Sequence, residues 1–331
     1  MRERGFTLIE MMIALFIGVI ILGGVMFTYL SMKITTTDTI AIGEIQESGR
    51  LAINIMQRDI EQVGFWGTFY EDSFTGANVS TQTAPAGDCE SGLNNASFPN
   101  ITSQSNFRTI FATTANTNKE LNCINNPVKG SDILQIKFLQ GKQLVVDITN
   151  NEMQSDENYF IAEQEQAQFV RGVVSANTLN LNATVWPYSH HVYYIAEQTY
   201  EVNNKKITVP VLMRKRLNGS KMTAESIMEG VENMRFLFGL DTNNDGRIDS
   251  YRNVSDMTSA DWENRKMVLA VQLFLLVRTL KEDSHSTVKN QTYTLGNDSN
   301  SRELSFNDGY RRAVFTTTIR LNNVGANLWH L

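Results

Sequence analysis

The chain has few cysteines, prolines and histidines: 2, 5 and 4 of them among 331 residues. Two cysteines allow one disulfide at most, and no four ligands occur at the close spacing of a zinc site. Five prolines and 42% hydrophobic residues argue against a disordered chain and for a globular body with a core. The net charge of −6, without a long basic run, argues against a surface that coats nucleic acid.

The sequence also lacks the familiar motifs of catalysis and nucleotide binding. No G-x-S-x-G nucleophile motif, P-loop or dinucleotide fingerprint occurs. His190 and His191 are adjacent, so in a strand they face opposite sides and cannot easily bind one metal. We expect both to be surface or loop residues, and the basic run 214–216 to be a solvated strand end. We therefore predict no catalytic residues, no enzymatic activity and no direct nucleic-acid partner.

Cys89 and Cys123 fit a single disulfide in an oxidising compartment, with two free thiols as the alternative. The bridge would close a loop of about 35 residues and stabilise the fold by ~3 to 4 kcal/mol in the loop-entropy model. The segment 72–128 around it is rich in Ser, Thr, Asn and Gly. We expect little regular structure there, which is where a covalent tie helps most.

What the sequence does have is a long apolar run near its N-terminus. No charge occurs in the 22 residues from Met11 to Met32, and a helix of that length spans about 33 Å, enough to cross a bilayer core. Arg2 and Arg4 precede the run and Lys33 follows it, which favours a cytoplasmic N-terminus and a body outside the inner membrane. The run is too long for a secretory signal, and no clear small-x-small cleavage site follows it.

Helical periodicity continues beyond the apolar run. Apolar residues recur at spacings of three and four up to Val63. We therefore predict one helix over about residues 6–62, half in the membrane and half outside, with Gly64 as part of its stop signal.

The stretch "GFTLIEMMIAL", which begins at Gly5, resembles the class III signal of type IV pilins and of the related type II secretion pseudopilins. In that family a prepilin peptidase cuts after the glycine, here between Gly5 and Phe6, and Phe6 is then N-methylated. The resemblance implies three parts: a leader peptide at 1–5, an N-terminal pilin helix at 6–64 with a transmembrane segment at 11–32, and a periplasmic β-rich head domain at 65–331.

Glu10 lies at the edge of the apolar run. An ionised carboxylate is costly inside lipid, so it is usually kept for a partner. The resemblance implies that Glu10 pairs with the free amine at Phe6 of a neighbouring subunit and sets the axial register of the filament. The alternative is a glutamate near the headgroups with no role.

The body of the chain is predicted to be rich in β-strands. Several stretches show apolar/polar alternation with β-branched and aromatic residues, and connections rich in Asn, Gly and Asp fit antiparallel hairpins. No βαβ rhythm occurs, so the expected class is α+β: a long helix joined to a large antiparallel head. One further short helix is predicted at 224–232. The predicted strands are 132–139, 143–148, 158–163, 168–174, 191–202, 206–217, 234–240, 266–279 and 311–323.

Four stretches of the body, 57–67, 228–251, 268–279 and 311–323, resemble the PilW-type minor pilins. The resemblance implies a low-abundance complex with other minor pilins and the major pilin, which primes pilus assembly and stays near the filament tip. It also implies a single-pass inner-membrane protein and a role in motility, DNA uptake or both. The alternative within the superfamily is the J-type minor pseudopilin of type II secretion, which is typically shorter. Residues 71–130 match nothing.

The stretch "DTNNDGRID" offers oxygen ligands at the first nine positions of an EF-hand calcium loop. Gly246 allows its sharp turn, but Arg252 replaces the bidentate glutamate at position twelve. The loop is therefore either a weak calcium site or an Asx-rich turn between strands. With calcium, the chain could instead be a surface-displayed binding or adhesion module. The candidate ligands are Asp241, Asn243, Asp245, the carbonyl of Arg247, and Asp249.

Overall fold

The computed structural model describes residues 7–202, 204–282, 290–297 and 300–324. Its first element is a single helix, α1 (Leu8–Ile60), of 53 residues. The predicted long helix is thus confirmed, although its expected first residue, Phe6, lies outside the described part. Gly64 follows the helix at φ 92°, and a Cβ there would lie 2.5 Å from Val324 Cγ2. Only glycine suits this turn, because its φ is positive and the C-terminal segment passes so close.

The head contains a short helix, α2 (Ser259–Glu263), and sixteen strands within the described residues. The strands are β1 (Val79–Ser80), β2 (Ile110–Thr114), β3 (Lys119–Glu120), β4 (Ile124–Asn125), β5 (Asp132–Leu139), β6 (Asn158–Ala162), β7 (Ala167–Arg171), β8 (Thr184–Val202), β9 (Lys205–Asn218), β10 (Lys221–Glu229), β11 (Val231–Leu240), β12 (Ser250–Asn253), β13 (Val268–Arg278), β14 (Gln291–Leu295), β15 (Arg302–Phe306) and β16 (Arg312–Arg320).

The larger sheet is organised around β8, which is 19 residues long. Strand β5 pairs with one edge of β8, while β6 and then β9 pair with the other edge. The order is β1-β7-β6-β8-β5-β2, with β9 beside β8 and β10 outside β9. All these pairs are antiparallel except the short parallel contact of β1 with β7. The predicted α+β class with an antiparallel head is confirmed.

The second sheet has the order β12-β11-β13-β16 and is antiparallel. The hairpin of β14 and β15 packs on one face of it through Leu295, Tyr293 and Phe306, against Leu237 and Leu276. The opposite face of the second sheet forms part of the main core of the head. The C-terminal half of α1, here called its outer half, packs into the same core.

The outer half of α1 buries one stripe of side chains in that core. The stripe follows spacings of three and four, as the sequence predicts, and packs against β13 and β16 in the core that includes Leu273 and Ile319. At Gly49 the helix approaches β16 so closely that a Cβ would lie 2.4 Å from the ring of Phe315. The buried stripe consists of Ile45, Gly49, Ala52, Met56 and Ile60.

Eight of the nine predicted strands are confirmed: 132–139 is β5 without any shift, β8 begins seven residues before the predicted 191–202, and the ends of the others shift by at most three residues. The strand predicted at 143–148 is wrong, because only single bridges form there, at Leu144 and Val146. Asp147 Oδ1 accepts the backbone N–H groups of Thr149 and Asn150 at 2.7 and 2.6 Å. This Asx turn ends the extended run.

The helix predicted at 224–232 is also wrong, since this segment forms β10 and the start of β11. Its Ala, Glu and Met residues favour a helix locally, but a tight turn with Gly219 at φ 55° folds it back against β9. Gly230 at φ 84° then reverses the chain into β11. Tertiary pairing overrides helix propensity here.

The segment 71–130 has little regular structure, as expected. It supplies β2 at the edge of the larger sheet, where Ile110 pairs with Ile136, and the small β3–β4 hairpin. Cys89 and Cys123 form a disulfide across this segment, and both are buried. Few regular strands and one covalent tie therefore hold the region onto the head.

Candidate functional site

In the described part of the chain, the N-terminal half of α1 lies outside the buried core of the head. Its apolar side chains are largely exposed, with Leu8 at 81%, Phe16 at 69% and Phe27 at 76%. The helix is long and apolar enough to cross a membrane, and none of its most apolar window is buried. Such a continuous apolar surface is stable only in contact with lipid or with other apolar helices.

Glu10 lies at the N-terminal end of this exposed helix, in a capping box with Thr7. Its Oε2 accepts the backbone N–H and the hydroxyl of Thr7, both at 2.8 Å, and Thr7 Oγ1 accepts the N–H of Glu10 at 3.4 Å. These bonds satisfy donors that a helix start otherwise leaves free. The predicted processing residues Gly5 and Phe6 lie outside the described residues. Thr7, which holds the Glu10 carboxylate, directly follows Phe6 in the chain. The predicted cleavage would create the new amine at Phe6.

The last turn of α1 is joined to the head by a buried cluster around Asp59. Asp59 Oδ2 lies 2.5 Å from His191 Nδ1, accepts the hydroxyl of Tyr193 at 2.5 Å, and lies 3.2 Å from Arg214 NH1. Arg214 Nε in turn donates to Glu225 at 2.7 Å. The cluster therefore connects α1 to β8, β9 and β10.

The environment of Asp59 favours its ionised form. Burial by itself would raise the pKa of this carboxyl, but the hydrogen bond and charge of His191, with Tyr193 and Arg214, outweigh burial and lower it. Burial, together with the charge of Asp59, raises the pKa of the Tyr193 hydroxyl far above its usual range. Tyr193 therefore stays a hydrogen-bond donor to Asp59 at neutral pH.

Two further contacts fix the outer half of α1 along its length. Nearer the exposed half, Asp38 pairs with Arg311 at 2.8 Å. Gly49 packs on Phe315 in the middle, and the Asp59 cluster closes the far end. These contacts span about 32 Å of helix, from Asp38 to Asp59. The head is thus held against half of α1 and leaves the other half uncovered.

Sequence reasoning missed the Asp59 cluster. Its partners are 132 to 155 residues away along the chain, so no local pattern reveals them. The one available signal is that Asp59 lies next to Ile60, within the apolar stripe. A carboxylate there needs a buried partner.

The expectations for the histidines and the basic run are partly wrong. His190 and His191 do face opposite sides, but both lie within β8, and His190 is fully buried between Ser97 Oγ at 2.7 Å and Gln135 Nε2 at 2.9 Å. Burial, and then the charges of Lys137 and His191, hold the pKa of His190 well below its usual range. Arg214 to Arg216 do lie near the end of β9, but the first two are half-buried: Arg214 binds Asp59 and Glu225, and Lys215 Nζ donates to the Cys123 carbonyl at 2.7 Å.

The predicted calcium loop connects β11 to β12. Asp241 accepts the N–H groups of Asp245 and Gly246 at 3.1 and 2.7 Å, and Asp249 accepts the N–H and hydroxyl of Thr242. The hydroxyl and then the N–H of Thr242 lower the pKa of Asp249. Within the described part of the chain, no three His, Cys, Asp or Glu side chains form a group that could hold a metal ion. The loop has the hydrogen bonds of an Asx-rich turn, and calcium binding by Asp241, Asn243, Asp245, the carbonyl of Arg247 and Asp249 stays a prediction.

Comparison with known families gives two matches. The family described as Type IV Pilus-assembly protein W (PilW) matches residues 192–323, from within β8 to the end of the second sheet. The prokaryotic N-terminal methylation motif matches residues 1–26, which include Glu10 and the predicted cleavage position. No curated protein and no solved structure matches the chain. The motif lies at the start of α1 and the PilW match covers the second part of the head, so over these two segments the chain is similar to PilW-type pilus-assembly proteins, and the two matches together support a type IV minor pilin.

Proposed function

We propose that this chain is a minor pilin that takes part in priming type IV pilus assembly, in a complex with other minor pilins and the major pilin. In this proposal residues 11–32 of α1 span the inner membrane, the head lies in the periplasm, and the subunit ends near the filament tip. The observation that carries the proposal is the division of α1. One half is fixed to the head through Asp59, and the other half exposes apolar residues behind an N-terminal carboxylate.

Glu10 has a defined role in this proposal. Prepilin peptidase would cut between Gly5 and Phe6, and the Phe6 amine of a neighbouring subunit would pair with Glu10. Before assembly the carboxylate is satisfied by Thr7. Pairing would replace these bonds from neutral donors with a bond from a charged amine, so that the charge of the carboxylate is neutralised as well. Assembly can therefore favour the new partner without leaving Glu10 unpaired in lipid at any stage.

Two substitutions of Glu10 test this role. Glu10→Gln keeps an acceptor for Thr7 but removes the charge, whereas Glu10→Ala removes both. We expect both variants to enter the membrane and to be cleaved, as shown by fractionation and gel mobility. We expect neither to co-purify with other pilins or to restore pili to a strain lacking the gene. Wild-type assembly by Glu10→Ala would contradict the pairing.

Deleting the gene separates the proposal from its alternatives. Loss of surface pili with normal type II secretion supports priming, and assays of twitching motility and DNA uptake then show what the pilus serves. Loss of secretion with normal pili would instead assign a pseudopilin. Normal pili with lost adhesion would assign a binding module.

A further inference from the structure

An exposed hollow lies between α1 and the end of the head nearest the proposed membrane span. It has a volume of about 620 Å³. Its lower end is lined by Leu30, Lys33 and Ile34 of the helix and by Leu280 and Lys281 of the head, which follow β13. We call this space the membrane-proximal hollow.

The lower end of this hollow lies at the level of the membrane surface. Lys33 is the first charged residue after the apolar run, so it marks the edge of the hydrocarbon core in the proposed orientation. Leu30 lies about 5 Å below Lys33 along the helix, and Asp38 lies about 8 Å above it. The headgroup layer on one side of a bilayer is about 5–8 Å thick. The helix from Leu30 to Asp38 therefore passes from the acyl chains through the headgroups.

Apolar side chains are exposed at this level on both walls of the hollow. Leu30 and Ile34 are 51% and 46% exposed on the helix, and Leu280 is 40% exposed on the head. Water in this space would contact all three aliphatic side chains, which is unfavourable. In the proposed orientation the hollow adjoins the bilayer, so a lipid of the same leaflet can fill it.

The charged side chains of the hollow have both signs. Asp38 and Arg311 already pair with each other at 2.8 Å. Glu44 lies about 16 Å beyond Lys33 along the helix, above the headgroup layer. Lys33, Lys281 and Glu282 are therefore the charged groups placed to meet a headgroup. The full set of charged lining residues is Lys33, Lys281 and Arg311 with Asp38, Glu44 and Glu282, which together carry no net charge.

A headgroup with both a phosphate and a protonated amine fits this set. A phosphate accepts charge-assisted hydrogen bonds from lysine amines, and an ammonium group donates them to a carboxylate such as Glu282. A purely anionic headgroup, as in phosphatidylglycerol, would place its charge near Glu282 without compensation. Phosphatidylcholine has the same phosphate, but its quaternary ammonium has no N–H to donate.

The adjoining hollow further along α1 does not belong to this site. Glu47, Glu229 and Arg278 are among its lining residues. Glu47 lies about 21 Å beyond Lys33 along the helix, well above the headgroups. Arg278 Nε lies 3.5 Å from a carboxylate oxygen of Glu232. These charges are therefore too far from the bilayer to bind the headgroup of a lipid.

We propose that the membrane-proximal hollow binds one molecule of phosphatidylethanolamine from the surrounding leaflet. Lys33 and Lys281 bind its phosphate, Glu282 accepts hydrogen bonds from its amine, and the three aliphatic side chains contact an acyl chain. This inference rests on the membrane orientation in the proposed function. The bound lipid fixes the height of the head above the bilayer before the subunit leaves the membrane.

Native mass spectrometry of the purified full chain tests the proposal. The protein is incubated in detergent with phosphatidylethanolamine, phosphatidylglycerol or phosphatidylcholine of identical acyl chains, and the retained lipid is counted. We expect one retained phosphatidylethanolamine. Lys33→Gln and Lys281→Gln are each expected to reduce its retention about fivefold, the usual effect of one lysine at a membrane surface. Lys142→Gln is the matched control, because this side chain is 78% exposed and does not line the hollow.

Glu282→Gln tests the choice of headgroup. It is expected to remove the preference for phosphatidylethanolamine over phosphatidylglycerol, because the amine loses its charged acceptor and the anionic headgroup no longer meets a carboxylate. Thermal unfolding of each variant in detergent checks that the head is intact.

The outcomes separate this inference from the proposed function. Equal retention of the three lipids would show non-specific lipid contact only and would overturn the site, as would wild-type retention by both lysine variants. A preference for phosphatidylglycerol would overturn the choice of a zwitterionic headgroup. Each of these results leaves the role in pilus assembly intact, because that role is measured separately by the Glu10 variants and by gene deletion. A chain that does not enter the membrane would instead contradict the proposed function.

Discussion

Replacing Asp59 by alanine should loosen the joint between α1 and the head more than any other single change on the helix surface. The change leaves His191, Tyr193 and Arg214 without their shared acceptor. Removing one partner of a buried charged cluster costs about 3–5 kcal/mol. Asp59 retains 14% exposure, so water can replace part of the loss, and we expect about 2–4 kcal/mol.

The measurement is thermal unfolding of the full chain in detergent. For a protein of this size 1 kcal/mol corresponds to about 2–4 °C, so Asp59→Ala should lower the Tm by roughly 5–15 °C. Glu61→Ala is the matched control, since this exposed carboxylate lies two residues away and accepts a hydrogen bond from Gln57 on the same helix. It should change stability by less than about 0.5 kcal/mol. Equal Tm values for the two variants would refute the cluster as the joint.

The same cluster predicts a pH dependence. The pKa of Asp59 is lowered in the folded state, whereas an unfolded aspartate titrates near about 3.9. Its contribution is therefore fully present above about pH 4 and is lost as the pH falls through the folded-state pKa. The stability difference between the wild type and Asp59→Asn should shrink below about pH 4. A difference that stays constant from neutral pH to pH 3 would show that the charge of Asp59 is not involved.

Three further predictions concern packing, the disulfide and metal binding. Gly49→Leu should destabilise the protein by about 1–3 kcal/mol, because the new side chain meets the ring of Phe315. Gly43→Leu is the control and should not destabilise it, because nothing lies within 4 Å of a Cβ at Gly43. Equal Tm values for the two variants would contradict this prediction. Cys89→Ser should cost ~3 to 4 kcal/mol by denaturant titration. Millimolar calcium should leave the Tm unchanged, because carboxylates in 241–249 already accept backbone N–H groups. A rise in Tm with calcium would instead show that this loop binds the ion.

The long helix, several strands and the processing motif can be predicted from the sequence, because the residues that determine each of them are close together in the chain. An uncharged run, a stripe at spacings of three and four, and a glycine after the last turn define α1 without knowledge of the head. The same holds for strands such as β5, whose apolar and β-branched residues favour an extended backbone in one window. The signal around Gly5 and Glu10 is likewise a contiguous motif. Even two cysteines suffice to suggest one bridge.

The joint between helix and head depends on contacts that no window contains. Asp59 meets its partners only because β8 and β9 pair in one register, which places Tyr193 and Arg214 beside each other. The burial of His190 and the strand conformation of 224–229 have the same origin, since neighbouring strands satisfy groups that locally favour a surface or a helix.

The sequence by itself therefore determined the long helix, its apolar half, the processing motif and the β-rich class, because each depends on residues within a few turns or one strand. Only the tertiary structure decided which half of α1 the head covers, how Asp59 is neutralised, and that Phe315 of β16 packs against Gly49. Those features arise from pairs of residues more than a hundred positions apart, and chain topology brings them together.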